Sequence, residues 1–252
     1  MMTTTYLSKY IQTKADKLDP NKLIGGKATQ LRNIDSTLVP YWVAITSDCP
    51  DTELSEVVEQ AYGNLYWQKP TASGLGDTFA VRSSALNEDG EEQSYAGVFE
   101  SKLNVPITGL EHAVREVRLS GLADRVSAYG SSLAITIPAV VIMPMVDAKY
   151  SGVLFTKEPV GGTNQMLVEY EHGVGGVVDG TSNTEMLFLN REEFNTGTGS
   201  IEIYMMPIRI IWKEAKRLEN NYRKPLDIEW AIDKHGVPYI LQVRPITAGV
   251  GV

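Results

Sequence analysis

The stretch LDIEWAIDKHGVPYILQVRP, residues 226–245, reads as two strands joined by the turn KHGV. In the hairpin that this pattern predicts, Glu229 lies opposite Gln242 and Asp227 lies opposite Arg244. Because the side chains of a strand alternate between the two faces of a sheet, these four polar residues share one face. Four polar side chains on one side of an otherwise apolar hairpin indicate either a ligand or solvent on that side.

The length of the turn sets this pairing. If Asp233 pairs with Pro238 across the four residues of the turn, the other pairs follow by counting along both strands. The opposite face then carries an apolar set that we expect to lie in a core: Ile228, Trp230, Leu241 and Val243.

The four polar residues indicate metal and phosphate chemistry. The carboxylates of Asp227 and Glu229 and the amide carbonyl of Gln242 are oxygen ligands of the kind that Mg²⁺ prefers. The guanidinium of Arg244 suits a phosphate held by that metal. The alternative is an exposed outer face on which Asp227 and Arg244 form a modest salt bridge.

Composition narrows the class of partner. The 252-residue chain is 43% hydrophobic and has a formal net charge of -8, so we expect no broad basic face for nucleic acid or membrane lipid. Any anion that it binds must be held locally. The single cysteine, Cys49, excludes an internal disulfide, and the sequence MMTTTYLSKYIQTK lacks the pattern of a signal peptide. These features predict a cytoplasmic protein.

Two helices are predicted in the first half of the chain. One covers DTELSEVVEQAYG, residues 51–63, and the other follows Thr108 and Glu111, whose spacing matches a capping box. Their apolar stripes consist of Leu54, Val57, Val58 and Ala61 in the first helix and Leu110, Ala113, Val114 and Val117 in the second.

The order of elements predicts an α+β fold with two lobes. The first part of the chain mixes helices and strands, whereas most segments after the second helix read as strands separated by turns. We therefore expect a mixed first lobe over roughly residues 1–135 and a mostly antiparallel second lobe over 136–252. A ligand is expected in the cleft between such lobes.

Two further segments have features that hold anions. The sequence GGK, residues 25–27, places backbone N–H groups and a lysine at the start of a helix, where phosphates often bind. Arg82 ends the predicted strand TFAVRSS, and the turn SYAG, residues 94–97, follows after an acidic loop. A flexible loop there could close over phosphates. The alternatives are an ordinary turn and an ion pair between Arg82 and a loop carboxylate.

Taken together and in this order, these segments resemble the nucleotide-binding domain of the phosphoenolpyruvate synthase and pyruvate phosphate dikinase family, which has an ATP-grasp fold. The resemblance covers most of the chain from about residue 23 to residue 247. Two parts of it are the most specific. One is VRSSA followed by Glu88 and Asp89, Ser94, and Ala96 and Gly97, and the other is the pairing of DIEW with LQVRPIT. The resembling segments are LIGGKATQL, FAVRSSALNEDGEEQSYAGVFESKLNV, VVIMPMVDAKYSGVLFTKEPV, LVEYEHGVGGVVDG, LDIEWAID and YILQVRPIT.

The resemblance implies how ATP phosphates are held. Lys27 and Arg82 would contact them, and Arg244 would stabilise the charge on the phosphoryl group during transfer. The glycine-containing lid over the phosphates would be the turn Ser94, Tyr95, Ala96 and Gly97.

The resemblance also implies a metal site and contacts with the nucleoside. Glu229 and Gln242 would hold Mg²⁺, with Asp227 close by. The remaining contacts would be backbone groups near Met145 and Val146 for the adenine edge and Glu169 for the ribose or the cleft wall. The chain departs from the family pattern at Met143, where glutamine is usual, and at Gly176, where glutamate is usual.

Members of that family usually continue past LQVRPIT into a swivelling domain with a phosphorylatable histidine and then a domain for the final substrate. This chain contains neither a motif resembling TSHAA nor those domains. The resemblance therefore implies a histidine carrier on another protein or in a segment downstream of this sequence.

Three functions are consistent with the sequence. The first is an ATP- and Mg²⁺-dependent phosphotransferase that passes a phosphoryl or pyrophosphoryl group to a histidine of a separate carrier domain, as a dikinase does. The second is a small-molecule kinase that releases ADP. The third is a nucleotide-binding regulatory module without turnover. The nucleotide product separates them, because the three alternatives give AMP, ADP or no product.

Overall fold

The computed structural model describes residues 8–14, 16, 24–68, 74–85, 101–129, 137–159, 163–173, 184–195 and 205–246. Over these residues the chain forms ten β-strands and four α-helices, arranged in two compact units. The first unit comprises Met1–Thr29 and Tyr41–Met145, and the second comprises Gln30–Pro40 and Val146–Val252. The mixture of helices and antiparallel sheets confirms the predicted α+β class.

The first unit contains a five-stranded sheet. Its strands, in the order in which they lie side by side, are β1 (Ile11–Thr13), β2 (Val43–Ile45), β5 (Ala139–Val146), β3 (Leu75–Ser84) and β4 (Ser101–Val105). Three helices accompany these strands in the sequence: α1 (Gly25–Asn33), α2 (Leu54–Gln68) and α3 (Leu110–Tyr129).

The core of the first unit lies where α2 and α3 pack against this sheet. Helix α2 contacts β2 and α3, and α3 contacts β3 and β4. The structure confirms both predicted apolar stripes, since all eight residues are buried: Leu54, Val57, Val58 and Ala61 in α2 and Leu110, Ala113, Val114 and Val117 in α3.

Helix α3 begins without the predicted capping box. Thr108 lies in a 3-10 turn, Ile107–Gly109, immediately before the helix. The Glu111 carboxylate instead accepts hydrogen bonds from Ser55 Oγ (2.7 Å) and from Nε (3.0 Å) and Nη2 (2.8 Å) of Arg115. The capping-box prediction was therefore wrong, because Glu111 ties α3 to α2 rather than to its own N-terminus.

The second unit contains a five-stranded sheet that is antiparallel throughout. Its strands, side by side, are β10 (Pro238–Pro245), β9 (Leu226–Asp233), β6 (Ala148–Phe155), β7 (Gln165–His172) and β8 (Glu185–Asn190). Helix α4 (Met205–Tyr222) precedes β9 in the chain and contacts β9 and β10. The prediction of a mostly antiparallel second sheet is confirmed.

One face of this second sheet is a core. A row of apolar residues crosses all five strands in direct register, and each of them is fully buried: Leu187, Val168, Leu154, Ile228 and Val243. The buried apolar side chains of α4 are Ile208, Ile211, Trp212, Ala215 and Leu218. The other face of the sheet is therefore the one on which polar groups can be displayed.

The boundary between the units differs from the predicted one near residue 135. Strand β5 pairs with β2 and so belongs to the first sheet, which moves the division to Met145. Residues 30–40 belong to the second unit, because Glu214 accepts a hydrogen bond from the Asp35 N–H (2.7 Å) and Leu38 O accepts one from the Ile240 N–H (2.6 Å).

The start of α1 depends on a glycine. Gly25 has φ +72°, and a Cβ at this position would lie 1.9 Å from the carbonyl oxygen of Ser84 at the end of β3. The Ser84 hydroxyl donates to Ile24 O (2.7 Å) and accepts from the Ala28 N–H (3.1 Å). The close contact between α1 and β3 thus requires a residue without a side chain.

We expect Gly25→Ala to lower the free energy of unfolding by about 1–3 kcal/mol or more, because alanine adds an unfavourable φ and a clash with backbone. Gly63→Ala in α2 is the matched control, since a Cβ there meets no other part of the described chain within 4 Å. The control should raise stability by up to about 1 kcal/mol. Urea denaturation measures both changes, and wild-type stability in Gly25→Ala would contradict the prediction.

Candidate nucleotide and metal site

The hairpin β9–β10 contains the two predicted polar pairs. Glu229 lies opposite Gln242, and Asp227 lies opposite Arg244. Since directly opposed residues of antiparallel strands share a face, the four side chains lie on the side of the sheet away from Ile228. The prediction that they share a face is confirmed.

The pairing beside the turn differs from the prediction. Pro238 lies opposite Ile232 rather than Asp233. The Asp233 N–H donates to Val237 O (3.0 Å), and Oδ1 of Asp233 accepts from the N–H groups of His235 and Val237 (2.8 Å each). The predicted Asp233–Pro238 pair was wrong, because the Asp233 side chain and amide close the turn themselves.

A β-bulge at Leu241 reconciles the two registers. Ile240 lies opposite Trp230, whereas Gln242 lies opposite Glu229, so Leu241 is the extra residue. Ile240 is fully buried and Leu241 is half-buried. The prediction that Leu241 lies in the core was wrong, because the bulge interrupts the alternation of faces and gives that place to Ile240.

Strand register extends the polar face to Glu169. Glu229 lies opposite Val153 of β6, and Val153 lies opposite Glu169 of β7. Together with Gln242 they form one row across four strands. Adjacent strands are about 4.8 Å apart, so the backbones at Glu169 and Glu229 are separated by roughly 10 Å. Glu169, Glu229 and Gln242, three of the predicted site residues, therefore lie on one surface of the sheet.

Asp227 and Arg244 form a close ion pair in the next row. Nε (2.7 Å) and Nη2 (2.6 Å) of Arg244 both donate to Oδ2 of Asp227. Asp227 is only 7% exposed, and its Oδ1 has no hydrogen-bond partner among the described residues. Burial raises the pKa of the Asp227 carboxyl, and the charge of Arg244 offsets this only in part. The pair therefore joins a buried carboxylate to an arginine whose side chain is 44% exposed.

The donor set on this face fits Mg²⁺. Among the residues that the structure describes, there is no cluster of three or more His, Cys, Asp and Glu side chains that could hold a metal ion. Asp227 and Glu229 supply two carboxylates and Gln242 one amide, and Mg²⁺ commonly takes one or two carboxylates together with waters and substrate phosphates. The buried Oδ1 of Asp227 is an oxygen that a cation would satisfy.

Lys27 and Arg82 belong to the first unit, on two elements that contact each other. The Ala28 N–H next to Lys27 bonds to the hydroxyl of Ser84, two residues after Arg82. Both cationic residues are half-buried. The contact between α1 and β3 therefore places the backbones of these two residues in the same part of the unit.

The start of α1 uses some of its backbone donors within the protein. The N–H of Gly26 donates to Ala85 O (2.8 Å), and the N–H of Ala28 donates to Ser84 Oγ (3.1 Å). The prediction of backbone N–H groups open to phosphate is therefore wrong for Gly26. The side chain of Lys27 remains the candidate phosphate contact from this segment.

The other candidates are placed less completely. Met145 is half-buried and Val146 is buried at the end of β5. The predicted lid, Ser94 to Gly97, lies outside the described residues, as do residues 174–180 of the GVGGVVDG segment. The roles assigned to all of these residues stay predictions.

Sequence analysis missed a polar cluster beside Asp227. It consists of Thr156 after β6, Arg191 after β8 and Glu219 on α4, and its hydrogen bonds end on Leu226, the residue before Asp227. These positions are far apart in the chain and form no local motif, so only the tertiary structure reveals them.

None of the helices in the described part of the chain is long and apolar enough to cross a membrane.

Comparisons with known proteins identify the family of this chain. The family model described as "Pyruvate phosphate dikinase, AMP/ATP-binding domain" matches residues 44–250. The uncharacterized phosphotransferase YvkC of Bacillus subtilis is 31% identical over 201 residues, which cover 67% of this chain and 24% of YvkC. Phosphoenolpyruvate synthase of Pyrococcus furiosus is 28% identical over 282 residues, covering 94% of this chain and 32% of that enzyme.

A solved structure is also similar in outline. The ADP complex of PurK, an N5-carboxyaminoimidazole ribonucleotide synthetase, matches with a TM-score of 0.49 and 12% identity, covering 92% of this chain and 47% of that chain.

The α+β fold in two units and the matched family model define a nucleotide-binding domain of the ATP-grasp class. The chain belongs to the family of pyruvate phosphate dikinase AMP/ATP-binding domains. It spans about a quarter of YvkC and about a third of the Pyrococcus synthase.

The raised pKa of Asp227 predicts a pH dependence of stability. Between the ordinary aspartate pKa of about 4 and the higher pKa of Asp227 in the folded protein, the folded state binds the proton of this carboxyl more tightly than the unfolded state does. The free energy of unfolding therefore falls as the pH rises through this interval. We therefore expect wild-type protein to lose free energy of unfolding relative to Asp227→Asn as the pH increases above about 4. Urea denaturation across pH measures the difference.

Glu111 provides a control of opposite sign. Hydrogen bonds from Ser55 and Arg115 lower the pKa of its carboxyl. Wild-type protein should therefore gain stability relative to Glu111→Gln as the pH rises toward about 4.3, the ordinary glutamate value. The assignment is contradicted if the free energy of unfolding of wild type minus that of Asp227→Asn stays constant or rises as the pH increases.

Proposed function

We propose that this domain binds ATP with Mg²⁺ and transfers a phosphoryl or pyrophosphoryl group to a histidine of a separate carrier domain. The observation that carries the proposal is the pairing of Glu229 with Gln242 beside the buried carboxylate of Asp227, which is ion-paired with Arg244. Membership in an AMP/ATP-binding family supports the nucleotide.

The metal would be held by the oxygens of Asp227, Glu229 and Gln242. When bound, Mg²⁺ would neutralise charge on the ATP phosphates and orient them. No donor among the described residues reaches Oδ1 of Asp227, which supports this role, since a buried anionic oxygen without a donor is costly unless a cation meets it.

Three cationic side chains would bind the phosphates. Lys27 and Arg82 would hold the phosphates, and Arg244 would stabilise negative charge on the transferred group. Phosphoryl transfer needs mainly positioning and charge stabilisation, so these groups suffice without a nucleophile from this chain. The remaining proposed contacts are the lid Ser94, Tyr95, Ala96 and Gly97, the backbone near Met145 and Val146, and Glu169.

The printed names of two relatives support the reaction class. YvkC is named a phosphotransferase, and the relative from Pyrococcus furiosus is named phosphoenolpyruvate synthase. Both names describe transferases of phosphorus-containing groups, which is the class that we propose for this chain.

The histidines of this chain are poor carriers, which supports an acceptor on another domain. His112 has a side chain that is 79% exposed and contacts Glu116 on the same helix. The ring of His172 lies against that of Tyr150, with ring centroids 4.3 Å apart. His172 is three residues after Glu169 on the same strand, so it lies on the opposite face of the sheet. His235 lies exposed in the turn of the hairpin.

Nucleotide analysis tests the reaction. The chain is incubated with ATP and Mg²⁺ long enough to detect slow transfer to water, and the nucleotides are separated by chromatography. AMP supports transfer of a pyrophosphoryl group, as in a dikinase. ADP is the product both of phosphoryl transfer to a carrier and of a small-molecule kinase, and it removes the pyrophosphoryl alternative. The proposal fails if ATP does not bind or if bound ATP gives neither product, which supports the regulatory module.

We expect Glu229→Gln and Gln242→Ala each to weaken Mg²⁺-dependent ATP binding about tenfold or more without unfolding the domain, because the first removes the charge of a metal ligand and the second removes a ligand. Isothermal calorimetry with and without Mg²⁺ measures the effect. Glu193→Gln, which removes one exposed carboxylate from the same unit, controls for net charge. Unchanged metal dependence in both variants would remove the metal assignment.

We expect Arg244→Lys to keep ATP affinity within about tenfold and to lose most turnover. Lysine retains the charge beside Asp227 but not the planar fork that matches a phosphoryl group. Calorimetry gives the affinity, and the initial rate of nucleotide product formation gives the turnover. If turnover survives, Arg244 serves only as the ionic partner of Asp227.

A further inference from the structure

A buried hydrogen-bond cluster lies where β6 ends and β9 begins. The N–H of Thr156 donates to Leu226 O (2.8 Å), and the N–H of Leu226 donates to Thr156 Oγ1 (2.8 Å). Thr156 and Leu226 are both fully buried. Thr156 therefore binds both backbone polar groups of the residue that immediately precedes Asp227.

Two charged side chains fix the orientation of Thr156. Its hydroxyl donates to Oε1 of Glu219 (2.7 Å), and a hydroxyl has one proton, so its lone pairs are left to accept from the Leu226 N–H. Oε2 of Glu219 accepts from Nη2 of Arg191 (2.7 Å), and Nη1 of Arg191 donates to the carbonyl of Thr156. The four residues form a closed network that joins α4, the end of β8, the end of β6 and the start of β9.

The network lies at the open end of the β9–β10 hairpin. At the other end, the turn holds the strands together through Asp233. At the open end, Pro245 lies opposite Leu226, and the Ile246 N–H donates to Pro225 O (2.9 Å). The pair Asp227–Arg244 is the first polar pair inside this end, so its position depends directly on how firmly Leu226 is held.

We infer that Thr156, Glu219 and Arg191 are positioning residues for the metal and phosphoryl site, acting through Leu226 on Asp227 and Arg244. This inference rests on the proposed function. Groups that orient metal ligands without touching the metal commonly change metal affinity by about 10–100-fold when they are removed. A network with only a structural role would lower stability without changing the metal dependence of ATP binding.

The test uses Glu219→Gln and Thr156→Val in the whole chain. Glutamine keeps the shape of Glu219 but presents an N–H₂ group where the carboxylate accepted hydrogen bonds, and valine removes the hydroxyl that accepts from the Leu226 N–H. Calorimetry measures ATP binding as Mg²⁺ is titrated. We expect the half-saturating Mg²⁺ concentration to rise roughly tenfold or more, with ATP binding in the absence of Mg²⁺ unchanged. Thr156→Ser, which keeps the hydroxyl, should restore the wild-type value.

Glu214→Gln is the matched control. Glu214 is a buried glutamate on the same helix, bonded to the Asp35 N–H and to Arg217, and none of its hydrogen bonds reaches β9. The control should lower stability and leave the Mg²⁺ dependence unchanged. Amide hydrogen exchange gives a second readout: the Leu226 and Ile246 amides should exchange faster in Glu219→Gln, while the Val237 amide in the turn should not.

The outcomes separate the two proposals. If wild-type protein binds ATP without any Mg²⁺ dependence, the proposed metal site fails and this inference fails with it. If wild-type binding depends on Mg²⁺ but Glu219→Gln and Thr156→Val leave that dependence unchanged, the inference alone is overturned, even where Leu226 exchanges faster. An equal shift in Glu214→Gln would also overturn it, because the effect would then follow general destabilisation.

Discussion

The β-bulge at Leu241 is the constraint on which the site depends. The core of the second unit needs both Ile240 and Val243, which a strand without a bulge would direct to opposite faces. One extra residue on β10 resolves this conflict and places Gln242 opposite Glu229. Apolar packing on one side of the sheet thus fixes the polar pairing on the other.

Asp227 shows that this face is not arranged for stability. A buried carboxylate is costly, and Arg244 donates to only one of its two oxygens. The net effect of burial and this partner is a raised pKa, so the charged form is disfavoured in the absence of a further cation. Asparagine or an apolar residue would be less costly at this position, and a carboxylate is explained better by a ligand that it must bind.

The hairpin could be predicted from sequence because its evidence is local. The pairs Glu229–Gln242 and Asp227–Arg244 were predicted by counting from an Asp233–Pro238 pair that does not form, and they are correct because the bulge at Leu241 restores that register. The bulge could not be predicted, since it results from competition between Ile240 and Leu241 for one core position. The capping box failed for a similar reason: the partner of Glu111 is Ser55, on another helix. The cluster around Glu219 joins four separate segments and leaves no pattern in any of them.

The charge of the chain gives the metal a further role. A protein with a net charge of -8 repels a polyphosphate at long range, so binding must rely on local cations that act within about a Debye length, roughly 8–10 Å. The first unit supplies two such groups, Lys27 and Arg82, but the proposed site in the second unit contains two carboxylates beside one arginine. Carboxylates and phosphates repel one another unless a cation lies between them. At the proposed site Mg²⁺ would convert that repulsion into shared coordination, which would suit an acidic face of a sheet to nucleotide chemistry.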